Sequence, residues 1–395
     1  MAGPLTGVKV LSFGRVLAGP YAAMLMADMG AEVIKVEDPR KGDMARRNGP
    51  FVDDVSSYFL SVNRGKKSLT LNMRHQKAKA LVKKLIQQMD ILVENFRPGV
   101  MKEMGLDYDS IRALNPRLIY VSISGFGQYG PYSQKAAFDM IAQGMGGTVS
   151  ITGESGRPPV RVGYSIGDLG AALYAVSASM AALYEREKTG QGQHVEVAML
   201  DCQVALCENA CARYFATGVV PRPIGSRHPI VTPFQVFPTK TDDMVVVTFQ
   251  DEDWGKLCRA IGCEALIEDP RFNTMAKRTT HHAELEPMLI EVFRKKPRAE
   301  WLSLFEKEGL IASPVNNIEQ VITDPHVLAR EMVITVSHSR LGEVKVVGTP
   351  MKFSRTGCQI EKASPDLGEH TEEILSGELN MGLEEIDYLR EEGVI

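Results

Sequence analysis

The 395-residue chain has only six cysteines, and no two of them form a CxxC pair. Cys202, Cys207, Cys211, Cys258, Cys263 and Cys358 therefore fit neither a zinc site nor a small disulfide framework. They read as reduced thiols, and the expected compartment is cytoplasmic. The eight histidines form no metal-ligand pattern; His281 and His282 are adjacent, and neighbours on a helix point apart. No metal is expected. There is no GxSxG elbow and no P-loop. The first residues, Met-Ala-Gly-Pro-Leu-Thr-Gly, lack a basic region followed by an apolar core, so no signal or transit peptide is expected. The most apolar stretch, Leu169 to Tyr184, is short for a membrane span and rich in Ala, Gly and Ser, which reads as a closely packed helix and not an anchor. A net charge of −4 argues against general nucleic-acid binding.

What is present is an α/β pattern. Val8–Phe13, Ala31–Glu37, Asp90–Glu94 and Leu118–Ser124 read as short, near-continuous apolar strands. Helical segments at Pro20–Met29 and Lys77–Met89 alternate with them, the second with Ala80, Leu81, Leu85 and Ile86 on one face. Alternation of this kind indicates a Rossmann-like parallel sheet, with ligands at the carboxyl ends of the strands, where loops begin at Gly14, Asp38, Asn95 and Gly125. The character changes after Ala212: residues 216–238 hold five prolines. A strand at Met244–Phe249 and helices around Trp254–Ile261, Ala283–Phe293 and Arg298–Lys307 suggest a smaller α+β domain. The expected division is 1–215 for the N-terminal part of a large α/β domain, 216–325 for linker and small domain, and 326–395 for a return to the large one. That last part carries a hairpin (Val333–Ser337, Glu343–Val347) and a helix at Leu383–Glu392. Charge is uneven: residues 1–110 carry 17 Lys/Arg against 12 Asp/Glu, while the remainder is net acidic. A basic first third suits an anionic ligand or is simply a solvated face.

Gly125-Phe126-Gly127-Gln128-Tyr129-Gly130 matches GxGxxG after a strand, but Pro131, Tyr132 and Ser133 follow where a dinucleotide site needs a helix. The glycines read as a flexible loop over a site. Asp168 lies between Gly167 and Gly170 at the start of the long small-residue helix. A helix N-terminus favours an anion, so Asp168 is either an ordinary N-cap or an accessible, ionised nucleophile.

Several segments together resemble the class III CoA-transferase family, which includes formyl-CoA transferase and carnitine CoA-transferase. They are Arg15–Pro20, Gly30–Glu37, Asn63–Ser68, Glu94–Gly99, Gly125–Pro131, Phe138-Asp139, Gly167-Asp168 and Leu367–Thr371. The resemblance implies that Asp168 is a catalytic nucleophile passing through an aspartyl-CoA thioester. It implies a second acidic site residue at Asp139, which either orients the site or caps the segment that follows it. Coenzyme A is implied as co-substrate, contacting Leu17, Ala18, Leu71, Asn72, Met73, Arg74, Asn95, Phe96, Arg97 and Lys102. Asp38 stands where one formyl-CoA transferase contact is Arg; Arg40 or Lys41 would have to substitute. The partners implied are an acyl-CoA and a free carboxylic acid, and the family's interlocked ring-like homodimer is expected.

The related α-methylacyl-CoA racemases place a His immediately before the acid matching Asp139. Here that residue is Phe138, which carries no proton, so racemisation is the alternative reading and transfer the main one. A CoA-binding protein without turnover is a third. Thr248–Trp254 stands where oxalate-using formyl-CoA transferases carry a run of glycines, and Pro159–Gly163 resembles dicarboxylate-using members. Succinyl-CoA is therefore the expected donor, with Arg161 as a candidate for a distal carboxylate and Arg227 and His228 as further pocket candidates.

Overall fold

The computed structural model describes every residue except Met1, Asp242, Phe249 and Gln359. The chain divides into two compact units, one made of Met1–Thr148, Arg161–Ala216 and Pro325–Ile395, the other of Val149–Val160 and Thr217–Asp324.

The first unit is built on six strands: β1 (Lys9–Ser12), β2 (Glu32–Glu37), β3 (Lys66–Thr70), β4 (Ile91–Glu94), β5 (Ile119–Ser124) and β6 (His194–Ala198). Their order is β3-β2-β1-β4-β5-β6, and every neighbouring pair is parallel. In this doubly wound order the chain reverses direction across the sheet between β1 and β4, which opens a crevice at their carboxyl ends.

Consecutive strand residues point to opposite faces, and here both faces are covered. Val10, Val33, Ile91, Val93, Ile119 and Val121 enter one core, while Leu11, Ile34, Leu69, Leu92 and Tyr120 enter the other. This is why the strands read as unbroken apolar runs. The first core is closed by α1 (Ala18–Asp28) and by the long helix that follows Ser165. The second is closed by α2 (Gln76–Ile86) together with the helices Thr371–Leu379 and Leu383–Glu391. On α2 the inward residues are Ala78, Leu81, Val82, Leu85 and Ile86; Ala80, expected on that face, is exposed, because it follows Ala78 by two positions and so lies on the opposite side of the helix.

Two further helices carry the site: α3 (Asp139–Met145) and α4 (Ile166–Thr189). By length and a mean hydropathy of 1.4, α4 is apolar enough to cross a membrane, but Ala171, Ala172, Ala175 and Ala182 pack into the first core with Ala22, Ala23 and Met26 of α1. Residues 368–371 tie back onto β3: Gly368 N–H donates to Ser68 Oγ at 2.9 Å, and Thr70 N–H to Thr371 Oγ1 at 3.0 Å.

The second unit has a three-stranded antiparallel sheet: β7 (Phe234–Pro238), β8 (Met244–Thr248) and β9 (Ala312–Pro314), in the order β9-β8-β7. The last residue of the expected strand, Phe249, lies outside the described residues. Helices Trp254–Ala260, His282–Phe293 and Arg298–Glu308 cover the sheet through a core containing Phe237, Trp254, Phe272, Phe293, Trp301 and Phe305.

Candidate active site

The turn after β1 is fixed from below. Lys35 Nζ donates to Gly14 O at 2.6 Å and to Asp43 Oδ2 at 2.7 Å, and both charged side chains are 1% exposed. The other oxygen of Asp43 accepts from Val16 N–H at 3.0 Å. Asn95, on the loop after β4, accepts from Arg15 N–H at 2.7 Å and donates back to Arg15 O at 2.9 Å. These bonds hold Val16 at φ +63°, a left-handed conformation that is costly for a β-branched residue. Burial pushes the Asp43 carboxyl up, but Lys35 and two backbone N–H donors outweigh it and keep the group below the usual carboxylate value. Gly14 and Gly19 allow the turn and α1 to touch; a Cβ on Gly19 would lie 2.9 Å from Gly14 Cα.

Two cavities adjoin this turn, at the crevice between β1 and β4. The larger, about 410 Å³, is lined by Leu71, Asn72, Met73, Arg74, Phe96 and Arg97, with Asp38 and Lys35 on its wall. The second, about 240 Å³, is lined by Ala18, Asn95, Phe96, Arg97, Gly125, Lys135, Phe138 and Asp168. Arg15, Phe96 and Arg97 border both, so the two adjoin at these side chains. Lys102 lines a third cavity, which also borders Arg97 and Glu94. Leu17 is buried and lines none of the three. Asn72 spends its polar groups on the fold: its N–H donates to Val394 O at 2.8 Å and its Nδ2 to Gly393 O at 3.1 Å. Asp38 Oδ1 accepts from the N–H groups of Arg40 and Lys41, and neither of those side chains lines the larger cavity.

Asp168 is not the cap of its helix. It occupies the first turn of α4, three residues after Ser165, and the carboxylate that caps this terminus is Asp139, which accepts from Gly167 N–H at 2.8 Å. The fit is tight, since a Cβ on Gly167 would lie 2.9 Å from Asp139 Oδ1. Asp139 Oδ2 accepts from Gln143 Nε2 at 2.8 Å, and Gln143 Oε1 accepts from Val162 N–H at 3.1 Å. Asp139 therefore braces the first turn of α4 and does not line the Asp168 cavity. The helix terminus does not keep Asp168 at an ordinary carboxylate value: burial, and then the neighbouring charge of Asp139, push it up to about 7. Burial also pushes Glu94 up to about 7, with Oε2 accepting from Phe96 N–H at 2.8 Å.

Two amides of the glycine loop are committed to the fold. Gly127 N–H donates to Ser124 Oγ at 3.0 Å and Gln128 N–H to Glu196, so both amides are occupied by side chains of β5 and β6. Only Gly125 of that loop lines the Asp168 cavity. Arg161 is exposed, donates to Gly163 O at 3.5 Å and lines none of these cavities. Arg227 lines a cavity of the second unit, and His228 stacks on Phe234 at 5.2 Å. Three residues went unnoticed in the sequence. Arg15 and Lys135 line the Asp168 cavity as cations. The Tyr58 hydroxyl, which lines neither cavity, is pushed up to about 12 by burial and then by the charge of Asp168. The run Arg15–Pro20 contained a signal for the first; nothing in the sequence pointed to Tyr58. Among the described residues no three His, Cys, Asp or Glu side chains converge as metal ligands.

Comparison with known proteins agrees with this geometry. The family described as CoA-transferase family III matches residues 5–371. The succinate–glutarate CoA-transferase of Agrobacterium fabrum is 38% identical over 94% of this chain and 95% of its own length. The formyl-CoA:oxalate CoA-transferase of Streptomyces coelicolor is 36% identical over 99% of each chain. A CaiB/BaiF family protein of Brucella suis superposes with a TM-score of 0.86 at 36% identity, covering 96% of this chain and 100% of its own. With a doubly wound sheet, a carboxylate in the crevice cavity and a family match across nearly its whole length, the chain belongs to CoA-transferase family III.

Proposed function

We propose that the protein moves CoA from an acyl-CoA to a free carboxylate through an aspartyl-CoA thioester on Asp168. The observation that carries this is the composition of its cavity: one carboxylate, three cations (Arg15, Arg97, Lys135) and, at Phe138, an apolar side chain where a second base would be needed for racemisation. An Asp168 oxygen attacks the thioester carbonyl, the C–S bond breaks, and the CoA thiolate leaves a mixed anhydride. The thiolate then attacks the Asp168 carbonyl, releasing the donor acid as a carboxylate. The acceptor carboxylate repeats the two steps in reverse. Each step exchanges one anion for another, so no net proton moves and no general base is required. Lys135, on the same cavity wall, stabilises the thiolate and the tetrahedral oxyanions in between. Arg74 and Arg97 suit the phosphates of CoA because a guanidinium binds oxyanions bidentately. Asp139 acts as a positioning residue that fixes the first turn of α4.

Trapping tests the covalent step. Incubation with an acyl-CoA followed by hydroxylamine is expected to leave a hydroxamate on the Asp168 peptide, read by mass spectrometry; an unmodified peptide removes the aspartyl mechanism. The pH profile is a second check. Attack needs the ionised form, so kcat/KM is expected to rise with pH and level off above about 7. Asp139→Asn removes the nearby charge but keeps an acceptor for Gly167, so the rising limb is expected to move to lower pH. A limb that stays in place belongs to another group, with Glu94 the first to examine.

Succinyl-CoA is the favoured donor, with a dicarboxylic or hydroxy acid as acceptor; support comes from the Agrobacterium relative and from the cationic cavity. A matrix of acyl-CoA donors against free acids identifies the pair. A homodimer is supported by exposed apolar side chains on α4 and the following helices, among them Leu173, Tyr184, Val204, Leu206, Tyr214 and Phe215, the last 82% exposed. Sedimentation would then give twice the 43.5 kDa chain mass. Six free thiols support a reducing, cytoplasmic location.

A further inference from the structure

Three observations meet at Arg15. Its side chain borders both the Asp168 cavity and the larger one. Its backbone is clamped at N–H and C=O by Asn95, with Gly14 and Val16 held by Lys35 and Asp43 on either side. Its guanidinium rests 4.7 Å above the Phe96 ring, and among the described residues no carboxylate or carbonyl accepts from it. The buried ion pair and the Asn95 clamp thus fix the backbone that carries one exposed guanidinium bordering both cavities. Arg97 borders three cavities, a position suited to phosphates strung along a long cofactor. Lys135 sits 4.0 Å over the Tyr132 ring and presents a point charge, not a planar fork.

A cavity of about 240 Å³ accommodates a short acyl chain beside Asp168. An acyl group whose carbonyl faces Asp168 turns its far end toward the cavity walls, and a planar guanidinium matches a carboxylate bidentately. We infer that Arg15 recognises the distal carboxylate of a dicarboxylyl group carried on CoA, and so selects dicarboxylyl-CoA over monocarboxylyl-CoA donors. The inference rests on the transferase reading above, but binding alone tests it.

The measurement is calorimetric titration of the full-length protein with free CoA and with carba(dethia) analogues of acetyl-CoA and succinyl-CoA, which cannot be cleaved at sulfur. Wild type is expected to bind the succinyl analogue about ten- to a hundredfold tighter than the acetyl one, as one charge-assisted bidentate contact permits. Arg15→Ala should remove that preference and leave the affinity for free CoA within about twofold, which also reports an intact fold. Arg15→Lys should restore part of the preference. Equal loss for all three ligands would make Arg15 a phosphate contact and overturn the inference. So would an unchanged preference in Arg15→Ala, or no preference in wild type. Failure of the transferase reading looks different: the analogues bind and discriminate, yet succinyl-CoA with free acids gives no exchanged product.

Discussion

Asp168→Asn is expected to lower kcat by at least about ten-thousandfold while acyl-CoA still binds. Asparagine has the same shape and fills the same first turn of α4, but its amide forms no anhydride and no CoA thioester. The loss should appear in the first half-reaction, with no release of free acid from the donor. The same variant carries a second expectation, of opposite sign. Because burial and Asp139 push Asp168 up to about 7, the folded protein holds this proton more tightly than the unfolded chain does. Stability therefore falls as pH rises from the ordinary carboxylate value toward 7, and the penalty is complete above it. Asparagine does not ionise, so Asp168→Asn should raise Tm at pH 8 and leave it close to wild type near pH 4. A variant that is both dead and more heat-resistant separates loss of chemistry from loss of fold. If turnover instead survives within about tenfold, the nucleophile lies elsewhere.

Asp43→Ala is expected to cost about 3–5 kcal/mol of stability, because it leaves the Lys35 ammonium buried without its counter-charge. Denaturant titration gives the number from the shift in midpoint. Replacing both partners by apolar residues, as in Lys35→Met with Asp43→Leu, should recover much of it, since a buried ion pair is often exchangeable for packing. Activity should not return with stability. The double variant still lacks the acceptor for Val16 N–H and the donor to Gly14 O, so the turn carrying Arg15 relaxes from its left-handed conformation. A stable, fully active double variant would mean that the turn holds itself.

The four central strands were legible because burial on both faces leaves a continuous apolar signature, and the crevice followed from their alternation with helices. Both edge strands were missed for the converse reason. In β3, Lys66 is buried with its ammonium satisfied by Pro20 O, Val62 O and Asn63 Oδ1, and Lys67 pairs with Glu32 and Glu373, so a strand reads as a polar loop. In β6, exposed His194 and Glu196 alternate with buried Val195 and Val197. Asp168 itself was legible from its place before a small-residue helix. Its environment was not: Asp139 lies 29 positions upstream, and only the folded chain brings a second carboxylate beneath it. The N-terminal capping chemistry read at Asp168 was correct in kind and attached to the wrong aspartate. Arg161, seven positions before Asp168, lines none of the three cavities, since proximity in sequence is no measure of distance across a fold.

The first unit is assembled from three separate stretches of chain, and the second is inserted between them. On the ribosome this sets an order of events. Strands β1 to β6 and the whole wall of both cavities are synthesised by residue 199, but the partners of Ser68 and Thr70, at 368–371, follow only after more than a hundred further residues. Domains tend to fold as they emerge. The nascent sheet therefore waits with its β3 edge unsecured while the inserted unit is made, and translation speed through residues 217–324 becomes a determinant of how much chain reaches the native state.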